Sequence, residues 1–296
     1  MRIVYMATWN VKCGIARYTS DLIMHLPVDI RYAIWDEPKF WNRNINNYDL
    51  LHNAVGDFSP DIIHVQHSPN FFPHSSFIDF CNSLKVPLIL TLHDTNDNIA
   101  QALSSIKKAT FIVPLDMCRR ILCNYIDSKN VRVIEHGATK FDIVPEAKKK
   151  LRIDSKTKVI TQFGFYGVDK NMCDSVRAFD KVQDKNSIFI FLGSLHPLAI
   201  PEHKVALKDA MILAHRLGLD NRVKFVGEFL SEEALNIYFS ATDVFLFNHK
   251  HIFPVYSASA SIKRVLYAGK PLVISNSPLY SEFSDREVMR FNSGEY

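Results

Sequence analysis

Small side chains crowd the stretch between a predicted strand at 243–247 and a predicted helix from about residue 259. The stretch reads Tyr256-Ser-Ala-Ser-Ala-Ser261. Small residues let a ligand approach the backbone, and the unpaired N–H groups and positive dipole of a helix start attract a diphosphate. We therefore expect a diphosphate site here, although a plain small-residue helix start would look the same. The candidate contacts are Ser257, Ser259, Ala260 and Ser261.

A lysine follows the first predicted strand of the second half of the chain. Lys170 ends the loop Gly164-Phe-Tyr-Gly-Val-Asp-Lys170, after a strand predicted at 159–164. When a nucleoside diphosphate departs, negative charge builds on its β-phosphate, and a fixed ammonium group stabilises that charge in the transition state. By spacing alone, a surface lysine beside a turn is the simpler interpretation.

Polar groups also follow the predicted strands of the first half. Gly14 opens a helix after the first strand, where main chain can approach a ligand and the helix start again favours an anion. His67 and His93 stand at the carboxyl ends of strands, which is where ligands bind in open α/β sheets. A lone histidine is more often a structural hydrogen-bonding residue, and His67 favours that interpretation. Asp94 either orients His93 or turns the chain.

These groups belong to two successive arrays of strands and helices. Short, mostly continuous apolar runs predict parallel strands that are buried on both faces. We predict them at 2–7, 30–35, 61–66, 86–92, 110–114 and 131–136, then at 159–164, 187–193, 222–227, 243–247 and 271–275. Two β-α-β arrays predict an α/β fold with two doubly wound, Rossmann-like domains facing each other across a cleft. The expected limits are 1–140 for the first domain, 141–156 for a polar linker and 157–296 for the second domain.

Composition narrows the class of protein. With 296 residues, 47% of them hydrophobic and 22% charged, the chain has the balance of a globular protein with room for two cores. Its 5 cysteines form no Cys-x-x-Cys pair, so we expect free thiols in the reducing cytoplasm, without disulfides or a zinc site. No apolar run reaches the ~18 residues that span a bilayer. A net charge of +4 allows an acidic substrate or peripheral contact with an anionic membrane.

Several separated strings, in order over nearly the whole chain, resemble the GT-B fold glycosyltransferases of family 4. The strings are Cys13-Gly-Ile-Ala16, Thr91-Leu-His-Asp-Thr95, Gly164-Phe165 with Lys170, Gly193-Ser-Leu-His-Pro197 and Gly227-Glu-Phe229. The first resembles the start of a bacterial subgroup, the second surrounds the family's active-site histidine, and the third resembles its Gly-Phe-x4-Lys loop. The last two strings follow at the spacing along the chain that is found in the family.

The resemblance implies roles for the matched residues. His93 would contact the transferred sugar at the reacting centre, and Lys170 would neutralise the leaving diphosphate. The loop at Gly14 would lie under the donor diphosphate and beside the acceptor, while the loop at 227–229 would hold the nucleotide base. The donor-side residues would be Gly14, Lys170, Gly227, Glu228, Phe229, Ser257, Ser259, Ala260 and Ser261, and the acceptor-side residues Asn10, His67 and Asp94.

The chain departs from the family pattern at several positions. Tyr256 and Arg264 stand where many family-4 enzymes carry two glutamates, and Phe165 or Tyr166 stands where many carry an arginine in the lysine loop. The contacts to the ribose and sugar hydroxyls are therefore unassigned. The chain also stops at Tyr296, soon after its last predicted strand, so we expect a compact member or a fragment.

The resemblance implies a retaining hexosyl- or pentosyltransferase. It would move a sugar from a nucleotide-diphosphate sugar to a hydroxyl of a glycan, a lipid-linked compound or another acceptor. No Asp-x-Asp motif occurs, so we expect neither a metal ion nor another cofactor. Three alternatives stay open: an epimerase or hydrolase on the same fold, a nucleotide-sugar-binding protein impaired in catalysis, and a phage-type transferase that glycosylates a hydroxymethylated base of DNA.

Overall fold

The structure, a computed structural model, describes residues 1–36, 58–72, 74–138, 140–197, 199–250 and 255–292. The chain divides into two compact units, Met1–His136 with Phe253–Ala258 and Gly137–Ile252 with Ser259–Tyr296. The chain therefore returns to the first unit over Phe253–Ala258, a segment that includes the first three residues of the small-residue turn. Within that segment, Tyr256 pairs with Thr95 through two backbone hydrogen bonds of 2.8 and 2.9 Å.

The first unit is built on a parallel sheet with six strands in the described residues. In spatial order the strands are β2 (Arg31–Trp35), β1 (Arg2–Met6), β3 (Ile62–His67), β4 (Leu88–Leu92), β5 (Thr110–Val113) and β6 (Val131–Val133). The helices described around it are α1 (Gly14–Met24), α2 (His74–Ser83), α3 (Asp97–Leu103) and α4 (Asp116–Cys123). Both faces are covered: Val4 and Met6 of β1 enter the main core, whereas Ile3 and Tyr5 enter a cluster on the opposite face.

The second unit contains another parallel sheet, again with six described strands. In spatial order they are β12 (Met289–Phe291), β11 (Leu272–Ser275), β10 (Val244–Phe247), β7 (Lys158–Phe163), β8 (Ser187–Leu192) and β9 (Val223–Val226). Its described helices are α5 (Ala147–Lys150), α6 (Met172–Asp180), α7 (Pro201–Arg216), α8 (Glu232–Ala241) and α9 (Ala260–Val265). Alternate residues of β8 again serve two cores, because Ile190 and Leu192 pack on one face while Phe189 and Phe191 pack on the other.

The predicted fold class, an α/β chain with two doubly wound parallel sheets, is confirmed. β12 has no counterpart in the sequence prediction, because a three-residue strand centred on Arg290 lacks an apolar run; its pairing with β11 defines it. Residues of the predicted linker lie in the second unit. There Phe141 and Ile153 pack against the core, and Nζ of Lys148 lies 2.7 Å from Oδ2 of Asp243. The limits 1–140, 141–156 and 157–296 stay a prediction.

Candidate active site

Lys170 lies near the carboxyl end of β7, one of the two middle strands of the second sheet. The 3₁₀ turn Val168–Lys170 presents it, and its side chain is 20% exposed. Its Nζ lies 2.7 Å from Oδ2 of Asp169 and also contacts Nε2 of His249. Burial favours a higher pKa for Asp169, but the ammonium of Lys170 outweighs it and holds that pKa below its ordinary value. The fold therefore keeps a partly buried cation in a defined place.

His249 joins Lys170 to a buried tyrosine. Burial, together with the charge of Lys170, lowers the pKa of His249 well below its ordinary value, so the ring is neutral at neutral pH. An ammonium group can only donate, so Nε2 of His249 accepts from Lys170, and Nδ1 donates to the hydroxyl oxygen of Tyr280. Burial raises the pKa of Tyr280, and the nearby Ser259 hydroxyl opposes that rise. A chain of buried groups thus connects the lysine loop to the start of α9.

The end of the small-residue turn lies against the same loop. The hydroxyl oxygens of Ser259 and Ser261 lie 3.0 Å apart at the start of α9, and the N-cap, Ser259, makes no side-chain bond to the helix backbone. Gly164 has a φ of +139°, and a Cβ there would lie 3.5 Å from Oγ of Ser261 and 3.9 Å from Cε of Lys170. Gly164, Lys170 and Ser261 therefore surround one place in the second unit.

Three side-chain rings, those of Phe165, His196 and Phe229, form an aromatic group in the second unit. This aromatic group borders a depression of about 190 Å³ beside Lys170. Phe165, which lines the depression, stacks on Phe229 with ring centroids 6.2 Å apart and meets His196 edge-on at 4.9 Å. Burial lowers the pKa of His196, so that ring is neutral at neutral pH. Phe229 is 49% exposed, as suits a residue that offers a ring face to a ligand. Gly227 and Glu228, predicted to act with it, are exposed as well.

A close approach of two backbone segments shapes this part of the second unit. A Cβ on Gly193, which follows β8, would lie 1.9 Å from the carbonyl oxygen of Gly164. No side chain fits at that distance, so position 193 requires glycine. The sequence singled out the string at Gly193 only by resemblance, and the packing of the two loops supplies its physical reason.

His93 lines a depression of about 300 Å³ in the first unit, open to solvent. Tyr18 of α1 and His136, which follows β6, line it too. The ring of Tyr18 meets His93 edge-on at 5.1 Å and His136 at 4.7 Å. Sequence reasoning missed Tyr18 and His136, because only the arrangement of the sheet brings them to His93.

A buried polar chain holds the His93 ring. Its Nε2 lies 2.9 Å from Oε1 of Gln66, and Nε2 of Gln66 lies 3.3 Å from Nε2 of His64, which is 2.8 Å from Oγ1 of Thr91. Burial lowers the pKa of His64 to about 4. Burial, reinforced by His136 and His64, lowers the pKa of His93 to about 3. Both imidazoles are therefore neutral at neutral pH.

Two other residues of the first unit, His67 and Asp94, were predicted to lie on the acceptor side. The side chain of His67 is buried, and that of Asp94 is hydrogen-bonded within the protein. His67 is fully buried, and its ring lies against the rings of Phe72 and Phe77. Asp94 accepts a hydrogen bond of 2.7 Å from Oγ of Ser68, and burial raises its pKa. The His93 ring is instead hydrogen-bonded to Gln66, whose side-chain oxygen accepts from Nε2 of His93. An acceptor-side role for His67 and Asp94 stays a prediction.

Asn10 and Gly14 lie in and after the exposed loop that precedes α1. Asn10 has a φ of +52°, in the left-handed region. Gly14 begins α1, whose N-cap, Cys13, makes no side-chain bond to the helix and whose first turn carries no acid. A Cβ on Gly14 would meet no atom within 4 Å, so protein atoms leave this helix start open. Contact of this loop with a donor or an acceptor stays a prediction.

The two positions where the family pattern has glutamates are engaged within the protein. Tyr256 pairs with Thr95 in the first unit through its backbone. Arg264 forms an ion pair with Glu232 in the second unit, and its guanidinium lies 5.7 Å from the ring centre of Phe163. Both positions therefore have structural contacts of their own in this chain.

The predicted donor residues divide between the two units. Gly14 and Ser257 belong to the first, whereas Lys170 and the residues from Ser259 onward belong to the second. Within the second unit the fold brings Lys170 together with Ser259 and Ser261, and adds Asp169, His249 and Tyr280, which the sequence did not single out. The ligand contacts of all these residues stay predictions.

Three general features concern the described residues as a whole. No helix there has the length and apolar character that crossing a membrane requires. In the same residues, no group of three or more His, Cys, Asp or Glu side chains is arranged to hold a metal ion. The cysteines are free thiols, and Cys13, Cys81 and Cys118 are buried.

Comparison with known proteins finds similarity at the level of structure. No family model matches the chain, and no curated protein sequence matches it. HepE (Alr3699) of Anabaena, solved with UDP and glucose, matches with a TM-score of 0.71 and 16% identity over 100% of this chain and 86% of that chain. Sucrose-phosphate synthase from Thermosynechococcus elongatus matches with a TM-score of 0.77 and 12% identity, over 100% and 86% of the two chains.

A third match is a UDP-forming α,α-trehalose-phosphate synthase from Burkholderia xenovorans, solved with glucose-6-phosphate. Its TM-score is 0.72 at 10% identity, over 99% of this chain and 89% of that chain. Two parallel sheets, each with six strands in the described residues, and similarity to such proteins over the whole chain define the fold class. This chain has the GT-B fold that the sequence predicted.

Proposed function

We propose that this protein is a glycosyltransferase that moves a sugar from a nucleotide-diphosphate sugar to an acceptor hydroxyl. The cluster of Lys170, Ser259 and Ser261 around the backbone of Gly164 carries this proposal. A fixed ammonium, two hydroxyl groups and an open backbone are groups that bind a diphosphate. HepE was solved with UDP, which supports a UDP-sugar as the donor.

The donor in this proposal extends from the lysine loop to the aromatic group. Its diphosphate contacts Lys170, Ser259 and Ser261, with Ala260 beside them. Its base lies near the exposed ring of Phe229, because a nucleobase stacks readily on an aromatic face. Gly227 and Glu228 flank that ring and offer backbone groups to the base. Ser257 and Gly14 are assigned to the donor from their places at the small-residue turn and at a helix start, together with the resemblance.

The proposed reaction is substitution at the anomeric carbon. Its bond to the diphosphate oxygen breaks, the electron pair leaves with the diphosphate, and the acceptor oxygen forms the new bond. Lys170 stabilises the charge that develops on the leaving group. The acceptor proton passes to a diphosphate oxygen, while His93 contacts the transferred sugar. Attack from the face that the diphosphate leaves retains the anomeric configuration, as in family 4.

The acceptor, the metal requirement and the cellular compartment complete the proposed function. The acceptor is a hydroxyl of a glycan or a lipid-linked compound, contacted by residues of the first unit such as Asn10 and Asp94. We also propose catalysis without a metal ion, since Lys170 supplies a positive charge at the diphosphate. The free thiols support a reducing compartment, the cytoplasm.

A panel of nucleotides tests the donor assignment. The melting temperature is measured with UDP, GDP, ADP and their sugars, because a ligand that binds only the folded state raises it. We expect UDP and one UDP-sugar to raise it, and Lys170→Ala to remove the shift. Lys208→Ala, which removes an exposed lysine of α7, is the matched control and should leave the shift unchanged.

Turnover assays then separate transfer from its alternatives. Release of UDP only with an acceptor, a product of retained configuration and activity in a metal chelator are the expected results. Donor binding without turnover on any acceptor would favour a binding protein, an alternative that Tyr256 and Arg264 motivate. A melting temperature that no nucleotide or nucleotide sugar changes, with no turnover, would overturn the proposal.

A further inference from the structure

Gln66 is buried at the carboxyl end of β3 between two imidazole rings. Its side-chain oxygen lies 2.9 Å from Nε2 of His93, and its side-chain nitrogen lies 3.3 Å from Nε2 of His64. The residue is 0% exposed, so water does not replace these partners. A carboxamide has one acceptor oxygen and one donor NH₂ group, so the two rings face chemically different groups.

These different groups impose different tautomers on the two rings. Nε2 of His93 faces the acceptor oxygen and therefore carries its hydrogen. Nε2 of His64 faces the NH₂ group, and also the Thr91 hydroxyl at 2.8 Å, and is the nitrogen without a hydrogen. Both rings are neutral, since burial lowers the pKa of His93 to about 3 and that of His64 to about 4. A neutral imidazole has a single N–H, so Nδ1 of His93 keeps its lone pair.

We propose that Gln66 is a positioning residue that holds His93 as the Nε2–H tautomer, so that Nδ1 accepts a hydrogen bond from a hydroxyl of the bound sugar. His93 lines the depression of the first unit beside Tyr18 and His136. With Nε2 engaged by Gln66, Nδ1 is the ring nitrogen left for a ligand. The identity of that ligand rests on the proposed glycosyltransferase function, whereas the tautomer is a property of the free protein.

Nitrogen-15 NMR of the histidine rings tests the tautomer directly. The full chain is labelled at histidine, and long-range proton–nitrogen spectra are recorded without ligand at neutral pH. The spectra of His93→Ala and His64→Ala assign the two rings. We expect His93 as the Nε2–H form and His64 as the Nδ1–H form. The reverse assignment would overturn the inference, because it would require the opposite orientation of the Gln66 amide.

Substitutions at Gln66 test whether this residue sets the tautomer. Gln66→Met removes both amide contacts, so His93 should become a mixture of tautomers with shifted ring nitrogens. Gln101→Met, at an exposed position of α3, is the matched control and should leave the rings unchanged. Unchanged His93 nitrogens in folded Gln66→Met would overturn the proposal.

Gln66→Glu gives a second test that does not depend on the stability of Gln66→Met. A carboxylate only accepts hydrogen bonds, so it should keep His93 in the Nε2–H form and convert His64 from Nδ1–H to Nε2–H. A His64 ring that keeps its tautomer in this variant would contradict the role of the amide.

Steady-state kinetics test whether the tautomer of His93 affects sugar transfer. Loss of one correctly aligned hydrogen bond predicts about a threefold to tenfold lower kcat for Gln66→Met. The KM for the nucleotide sugar should stay within about twofold, because the donor diphosphate is assigned to the second unit. An altered tautomer with unchanged kcat would overturn the catalytic part. If the wild-type protein turns over no nucleotide sugar, the proposed function fails while the NMR result still decides the role of Gln66.

Discussion

Lys170 shows how the surroundings of a residue define its chemistry. A lysine beside a turn is ordinary, and the spacing of the sequence does not distinguish it from a surface residue. In the folded protein its ammonium is 2.7 Å from Asp169 and also touches a neutral His249, which can only accept from it. These contacts hold the charge beside Gly164 and Ser261, where a diphosphate is proposed to bind.

Replacement of Lys170 by alanine removes that charge. We expect turnover of the nucleotide sugar to fall by about two to three orders of magnitude, because a group that stabilises developing charge contributes that much in other enzymes. The circular dichroism spectrum should stay that of the folded protein. Steady-state kinetics beside Lys208→Ala provides the comparison, and a rate within about threefold of wild type would remove Lys170 from the site.

At the scale of elements, the ends of neighbouring parallel strands create the candidate site. β7 and β8 run side by side, with Phe163 of β7 opposite Leu192 of β8. The loops after them, at Gly164 and Gly193, therefore meet, and the absence of a side chain at Gly193 lets them touch. This contact fixes the path of the chain that leads to Lys170.

Gly193→Ala tests the contact between these two loops. Its Cβ would need the place of the Gly164 carbonyl, 1.9 Å away, so the loops must separate. Overpacking of this kind costs about 1–3 kcal/mol, and we expect a lower free energy of unfolding and weaker UDP binding. Gly137→Ala is a suitable control, since a Cβ there would meet nothing within 4 Å. Equal stability and UDP affinity in the two variants would contradict the argument.

At the scale of the molecule, the chain forms two units with separate cores, and their unfolding can be followed separately. All 3 tryptophans, Trp9, Trp35 and Trp41, precede residue 42 and lie in the sequence of the first unit. Tryptophan fluorescence therefore reports on that unit. The same unit contains His64 and His93, which are partly buried and neutral at neutral pH.

Stability of the first unit should fall as the pH is lowered. His64 has a folded-state pKa of about 4, whereas the unfolded chain takes up the proton near pH 6.5, so the unfolded state binds more protons between these values. The free energy of unfolding should therefore decrease by about 1.4 kcal/mol per pH unit for this residue. His93 adds to the effect, and the raised pKa of Asp94 opposes it.

Denaturant titrations between neutral and mildly acidic pH measure this slope by tryptophan fluorescence. His64→Gln should have a smaller slope. The difference between the two slopes separates the contribution of His64 from that of Asp94. His25→Gln, at an exposed position just after α1, should leave the slope as it is in the wild-type protein. An equal pH slope in the wild-type protein and His64→Gln would contradict the lowered folded-state pKa of His64.

Local patterns in the sequence are enough to predict the alternation of strands and helices and the residues at strand ends. Apolar runs and turn residues are local signals, so the two arrays could be predicted from them. Lys170 and His93 were singled out by the resemblance of the strings around them, whereas local signals marked the small-residue turn. They missed β12, because a short strand centred on Arg290 is defined by its neighbour β11.

The partners of these residues, in contrast, depend on how the whole chain folds. Lys170 and His249 are 79 positions apart, and Gln66 and His93 are 27 apart, yet each pair is in contact because parallel strands end at the same edge of a sheet. Burial then changes the chemistry of the rings by lowering their pKa. Neither strand order nor burial is a property of a local stretch of sequence, which is why His249, Tyr280 and Gln66 emerged only from the fold.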